Sequence, residues 1–310
     1  MMMVKPSGNS GLPVAVIGLG NIAHKAYLPV LTAVPDVDLH LMSRSPATVD
    51  RVADTYRVPR RFTDLDALLD TGIRAAFVHT PTEQHYPIVT RLLEAGVDVM
   101  VDKPLSYDLK ESTRLVRLAR EQGRSLMVGF NRRHAPAYQA ALGHPRDLVI
   151  IQKDRRGDPG AVRTIVLDDF IHLIDTLRML APADIAFDVH GRVDAGLLHH
   201  VVVRATAPGF TGLAVMNRAS GSSVETLHTA GANLRRDVID LTEVTLHNGP
   251  ATSQRPDAWE PVGHRRGFHA MCTTFLDAVR TGETLDATDA LTSHQWCEQI
   301  IENLQSSHTP

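Results

Sequence analysis

Val14-Ala15-Val16-Ile17-Gly18-Leu19-Gly20-Asn21-Ile22-Ala23 is the stretch whose reading decides the fold. Four apolar residues in a row have the character of a short buried strand, and they stop at a glycine. Gly18 permits a tight turn, and Gly20 lets the main chain approach a bound group. Ala23 is small enough for a following helix, over residues 22–31, to pack close to the strand. Strand, G-x-G-x-x-A and helix in that order aim the first N–H groups of the helix at an anion. A dinucleotide pyrophosphate fits that spacing, with Gly18, Gly20, Asn21, Ile22 and Ala23 around it. The alternative reading is a Gly-rich turn with no ligand.

Outward from this stretch the pattern repeats. Residues 37–42 read as a second strand, which ends in Ser43-Arg44-Ser45. A dinucleotide site usually carries an Asp or Glu there to hold the adenosine ribose hydroxyls. Ser43 offers no carboxylate to repel a 2′-phosphate, and Arg44 offers a guanidinium to pair with it. The expectation is therefore NADP in preference to NAD, against a plain surface arginine before Pro46. Helices follow over 47–56 and after Thr63, where Leu65, Leu68 and Leu69 form an apolar face. A strand over 75–79 leads to Thr80-Pro81-Thr82-Glu83-Gln84-His85, with Thr82 a candidate cap for a helix that Gly96 ends. A strand over 97–101, a helix over 108–122 and a strand over 125–128 complete six strand–helix alternations with short links. That order predicts an α/β, doubly wound parallel sheet of the Rossmann type.

The fifth strand ends in Val101-Asp102-Lys103-Pro104. Pro104 keeps Lys103 extended at the carboxyl end of the strand, which is where open α/β sheets bind ligands. Taken alone, Lys103 reads equally as a solvated loop lysine. After Gly129 the texture changes, and Asn131, Arg132 and Arg133 stand in a polar link that ends at Pro136. The boundary is drawn there, giving a dinucleotide-binding domain over 1–129, with 1–11 a frayed tail, and a second domain over 130–310. Asn131 and Arg132 are candidate substrate contacts, or else they pair on the surface. Turn-separated β-rich stretches between 148 and 247 and two final helices make the second domain α+β, with a large, mostly antiparallel sheet. Within it, Asp168, His172 and Asp175 fall at i, i+4 and i+7, on one face of a helix whose other face is apolar. A histidine beside a carboxylate is expected to have a raised pKa and a fixed tautomer, suited to proton exchange with a hydroxyl or carbonyl. The plainer reading is a solvated polar face.

Composition excludes several classes. The 310 residues carry 32 basic and 35 acidic side chains, so no basic excess points to nucleic acid. No apolar run reaches membrane-spanning length. The only cysteines, Cys272 and Cys297, are far apart and lack metal-type spacing, so no metal site is expected and a cytoplasmic setting fits.

Together these motifs resemble the Gfo/Idh/MocA oxidoreductases over essentially the whole chain. Gly18, Gly20 and Ala23 are similar to that family's first motif. Thr80, Pro81 and His85 resemble its T-P-N-x-x-H stretch, Asp102-Lys103-Pro104 its E-K-P, and Asp168, His172 and Asp175 its D-x-x-x-H-x-x-D helix. Within the family the chain looks most like the MviM-type branch. The resemblance implies hydride transfer between NAD(P) and a hydroxyl-bearing carbon of a sugar, polyol or related small molecule. It also implies a cis Lys103–Pro104 peptide and a homodimer or homotetramer formed through the C-terminal sheet. His172 would be the general acid/base, oriented by Asp168, with Lys103 stabilising charge on the reacting oxygen and Lys103, Asp168 and His172 contacting the substrate. Thr80, Pro81, His85, Asp102 and Lys103 would contact the cofactor. Two departures stand out: Asp102 where Glu is usual, and Phe170 where Gly is frequent. An NAD-dependent glycosidase of the same fold and a non-catalytic dinucleotide sensor are the competing readings.

Overall fold

The computed structural model describes residues 11–306; the tail expected over 1–11 lies, but for Gly11, outside the described residues. The chain forms two compact units and crosses between them five times. The first holds the described residues up to Asp102, with Leu115–Met127 and Cys272–Asp286. The second holds Lys103–Arg114, Val128–Met271 and the described residues from Ala287 on. The boundary read from the sequence, after residue 129, lies two residues past one of these crossings.

The first sheet has six strands: β1 (Leu12–Ile17), β2 (Val37–Met42), β3 (Arg60–Phe62), β4 (Ala75–Val78), β5 (Asp98–Val101) and β6 (Leu126–Val128). Their order is β3-β2-β1-β4-β5-β6, the doubly wound arrangement expected from the sequence. The pairings of β1 with β2 and β4, of β2 with β3 and of β4 with β5 are parallel. Val14 to Val16, Ala75 to Val78 and Val99 to Val101 are wholly buried, as suits strands covered on both faces. The order reverses between β1 and β4, which opens a crevice at the carboxyl ends of those strands. Asp64 caps the helix Leu65–Leu69, accepting from the Ala67 N–H at 2.9 Å. One local expectation fails. Thr82 caps nothing; Thr82–Gln84 is a 3₁₀ turn leading into the helix His85–Glu94.

The second sheet has nine strands: β7 (Leu148–Arg156), β8 (Gly160–Ala161), β9 (Ala186–Asp194), β10 (Leu197–Ala207), β11 (Phe210–Ser220), β12 (Glu225–Gly231), β13 (Leu234–Ile239), β14 (Glu243–His247) and β15 (Ala251–Gln254). Among the described residues, the pairings between them are antiparallel except that of β7 with β11. The helix Ile171–Leu180 lies against this sheet so closely that a Cβ at Gly212 would stand 2.5 Å from Leu177 Cδ1. Ahead of it the chain is π-helical over Val166–Phe170, not α-helical as the spacing suggested. The final helices come as Val262–Arg265, Phe268–Thr281 and Thr288–Ser306. No helix among the described residues is long and apolar enough to cross a membrane.

Candidate active site

At the end of β1, Gly18 adopts φ +91°, and a Cβ there would stand 2.6 Å from the backbone of His79 and Thr80. Glycine is required on both counts, the left-handed conformation and the close approach of two main chains. Gly20 is the opposite case: a Cβ there would meet nothing within 4 Å. The turn therefore has a tight side against β4 and an open side. The open side borders a cavity of about 770 Å³ whose lining includes Gly18, Gly20, Ser43, Arg44, Thr80 and Pro81. A cradle that only glycines leave free, in a cleft of dinucleotide size, fits NAD(P). Arg51 and Thr48, from the helix Pro46–Tyr56, also line it. Neither carries a sequence signal of its own, since both stand on the helix that follows Arg44.

Other expected cofactor residues stand off the cavity. Asn21 and Ile22 are exposed at the helix start, and Ala23 is wholly buried under it. His85 is buried, with Nε2 2.9 Å from the carbonyl oxygen of Thr80, so it braces the turn that carries Thr80 and Pro81. Asp102 ends in a bracket: the Tyr27 hydroxyl donates to one oxygen at 2.7 Å, and His79 Nδ1 lies 2.8 Å from the other. Burial pushes this carboxyl up, but His79 and the two hydrogen bonds outweigh burial and hold it below its ordinary value. The short side chain is thereby explained, since Asp102 reaches Tyr27 and His79 and needs no further length.

In the second unit, Lys103 follows directly, with a cis peptide to Pro104 as the resemblance implied. The Leu105 N–H donates to His294 Nε2 at 2.8 Å, pinning the loop. Lys103 Nζ donates to the backbone oxygen of Asp168. The Asp168 carboxylate accepts from the Tyr107 hydroxyl at 2.8 and 2.9 Å. Tyr107 was not singled out in the sequence, although it lies four residues beyond Lys103. His172 is partly exposed, with the Phe130 ring edge-on at 6.5 Å. Its Nδ1 is buried and has no hydrogen-bond partner among the described residues.

The electrostatics of His172 reverse the sequence expectation. Burial first, then the charges of Arg132, Lys103, Lys153 and Arg266, push its pKa well below the ordinary value. The π-helical turn takes Asp168 out of α-helical register with His172, and Tyr107 occupies its carboxylate. Asp175 faces neither; it is buried, accepts two hydrogen bonds from Arg133 at 2.7 Å and one from Ser293 at 2.8 Å. Arg132 is buried rather than on the surface, and its guanidinium meets Glu225 at 2.7 and 2.6 Å. Burial raises Glu225, but Arg132 overcomes it and brings the carboxyl down to about 2. Lys153 lies 2.5 Å from Asp169 and 3.5 Å from Glu225; burial and Arg132 bring it down to about 8. Asn131 Nδ2 donates to the backbone oxygen of Arg266 at 2.8 Å. The groups of Asn131 and Arg132 expected to reach a substrate are thus engaged inside the fold. His172 is left as an imidazole held towards its neutral form, with the Lys103 ammonium in electrostatic range.

A parallel sheet with a glycine cradle at its switch point, in a chain whose second unit carries His172 and Lys103, points to a nicotinamide-dependent oxidoreductase. The model of the oxidoreductase family with NAD-binding Rossmann fold matches residues 12–130. YceM of Salmonella typhimurium is 34% identical, over 87% of this chain and 90% of its own. The solved structure of a Gfo/Idh/MocA family oxidoreductase from Vibrio cholerae aligns with a TM-score of 0.91 at 31% identity, covering 97% of this chain and 100% of that one. The MviM dehydrogenase of Clostridium difficile aligns at 0.90 with 26% identity, covering 94% and 99%. The chain belongs to the Gfo/Idh/MocA family of NAD(P)-binding oxidoreductases. More distant relatives are named as inositol dehydrogenases.

Proposed function

We propose that the protein moves a hydride between NADP(H) and a hydroxyl- or carbonyl-bearing carbon of a sugar, polyol or related small molecule. The observation that carries this reading is His172, a partly exposed imidazole kept neutral by burial and by neighbouring cations that include Lys103. Bound NADP supplies the hydride acceptor, and its reduced form the hydride. In the oxidative direction His172 takes the hydroxyl proton of the substrate. Lys103 holds the same oxygen and offsets the negative charge that develops as the proton leaves. Asp168 acts as a positioning residue: its carbonyl receives Lys103, and its carboxylate receives Tyr107. In the reductive direction the proton returns from His172 to the carbonyl oxygen.

NADP is preferred over NAD because Arg44 and Arg51 line the same cavity as Ser43, with no carboxylate at the end of β2. Asp64 also borders the cavity, but one of its oxygens caps a helix. Two guanidiniums and the Ser43 and Thr48 hydroxyls form a set for a 2′-phosphate. Arg44→Ala should weaken NADPH binding roughly tenfold or more, the value of one charge-assisted contact, and NADH binding far less. Titration by nicotinamide fluorescence checks it, and equal losses for the two would contradict the assignment. Turnover is tested by absorbance of the reduced nicotinamide over a panel of sugars, inositols and small ketones. A homodimer or homotetramer built through the nine-stranded sheet and a cytoplasmic setting complete the proposal. Light scattering tests the assembly; the two free, buried thiols Cys272 and Cys297 suit a reducing compartment.

A further inference from the structure

Arg266 is a charge near His172 that the reaction above does not use. It follows the short helix Val262–Arg265, and Gly267 comes next with φ +81°. A Cβ at Gly267 would stand 2.3 Å from the Asn131 carbonyl oxygen and 2.5 Å from the Ala135 nitrogen. The turn is therefore pressed directly onto residues 131–135, and Asn131 Nδ2 ties down the Arg266 carbonyl at 2.8 Å. Directly before these residues stands Phe130, whose ring meets His172 edge-on. The main chain of Arg266 is thus fixed by the residues that follow the ring packed on the proposed base.

The cations around His172 differ in what they hold. Arg132 is saturated by Glu225, and Lys153 stands against Asp169 and Glu225. Lys103 reaches the Asp168 carbonyl. The Arg266 guanidinium is partly exposed and has no carboxylate or carbonyl partner among the described residues. A fork of donors that is anchored at its backbone and open at its head is built to take an oxyanion.

We propose that Arg266 recognises a carboxylate or phosphate on the polyhydroxylated substrate, so that the protein acts on a sugar acid or a sugar phosphate rather than a neutral polyol. This rests on the hydride-transfer reading given above. Electrostatics agree: Arg132, Lys103, Lys153 and Arg266 together repel a proton from His172, and a bound anion offsets that field. Asp168, Asp169 and Glu225 are the carboxylates of the same cluster, and each already has a donor.

The test compares matched pairs on the NADP⁺-loaded protein by calorimetry, with turnover followed in parallel. Gluconate against sorbitol probes a carboxylate, and glucose 6-phosphate against glucose probes a phosphate. The anion of one pair is expected to bind at least tenfold more tightly than its neutral partner. Arg266→Ala should erase that ratio, and Arg266→Lys should keep part of it. If thermal melting shows that Arg266→Ala does not fold, Arg266→Gln takes its place. Equal binding of anion and neutral partner, no binding of either pair, or a ratio that survives Arg266→Ala overturns the proposal. Oxidation of a neutral polyol without anion preference defeats the role of Arg266 and leaves hydride transfer standing. Anion binding without any redox turnover does the reverse.

Discussion

The role proposed for His172, a neutral imidazole that takes the substrate proton, has a consequence in the pH profile. A folded-state pKa pushed below 6.5 means that the neutral form persists as pH falls through 6.5. The acid limb of kcat/KM for substrate oxidation should therefore lie below pH 6.5; a limb at or above that value contradicts the burial-and-cation account. His172→Ala should lower kcat by roughly 10²–10⁴-fold with little change in NADPH affinity, as steady-state kinetics and a fluorescence titration will read out. A large loss of cofactor affinity would place His172 elsewhere. Lys103, His172 and the glycines were legible because each belongs to a short pattern with local spacing. The pKa direction was not. An i, i+4 count assumes an α-helix, and Val166–Phe170 is π-helical. The repelling cations come from Lys103, Arg132, Lys153 and Arg266, which no local pattern brings together.

At the scale of elements, the β1 turn and the buried pair behind His172 give the sharpest expectations. Gly18→Ala forces a side chain into φ +91° and into the backbone of His79 and Thr80. It should abolish tight dinucleotide binding and lower the melting temperature, whereas Gly20→Ala, with open space around it, should affect binding and leave melting nearly unchanged. Arg132→Ala would remove both guanidinium bonds from the buried Glu225, leaving it with the Tyr138 hydroxyl at 3.1 Å and Lys153 at 3.5 Å, and should cost about 3–5 kcal/mol in urea unfolding. A loss below about 1 kcal/mol would mean that the pair is solvated. The strand and helix alternation of the first unit was legible because fully buried strands and glycine stops leave plain marks. The parallel pairing of β7 with β11 was not, since strands so far apart in sequence carry no local sign of their direction. The same holds for Arg132, a candidate substrate contact or surface pair in the sequence, whose partner Glu225 comes from β12.

For the molecule as a whole, stability should fall on the acid side of neutrality in two stages. His294, buried and lowered to about 4, stays neutral in the fold while the unfolded chain takes up a proton below pH 6.5. Stability is thus lost from about pH 6.5 down to 4. Glu225, held at about 2 against an ordinary 4.5, adds stability that is fully present above pH 4.5 and is lost as pH falls towards 2. Each shift is on the order of 3 kcal/mol by linkage. Urea midpoints measured between pH 7 and 3 should decline throughout, and a flat profile from pH 6.5 to 4 would contradict the buried, neutral His294. The division into two units was only partly legible. Cys272–Asp286 joins the first unit from far down the chain, where Phe275 meets Phe77 edge-on with ring centroids 5.2 Å apart. A reading that runs along the sequence assigns that helix to its neighbours.

We propose NADP-linked hydride transfer with His172 as the base. Its most direct test is NADPH formation from NADP⁺ over the sugar, inositol, sugar-acid and sugar-phosphate panel, with wild type and His172→Ala side by side. Stoichiometric NADPH with at least one such substrate and a roughly 10²–10⁴-fold lower rate in the variant are expected. Substrate consumption without net change in the nicotinamide, or NADPH formation at the same rate in both proteins, would contradict it.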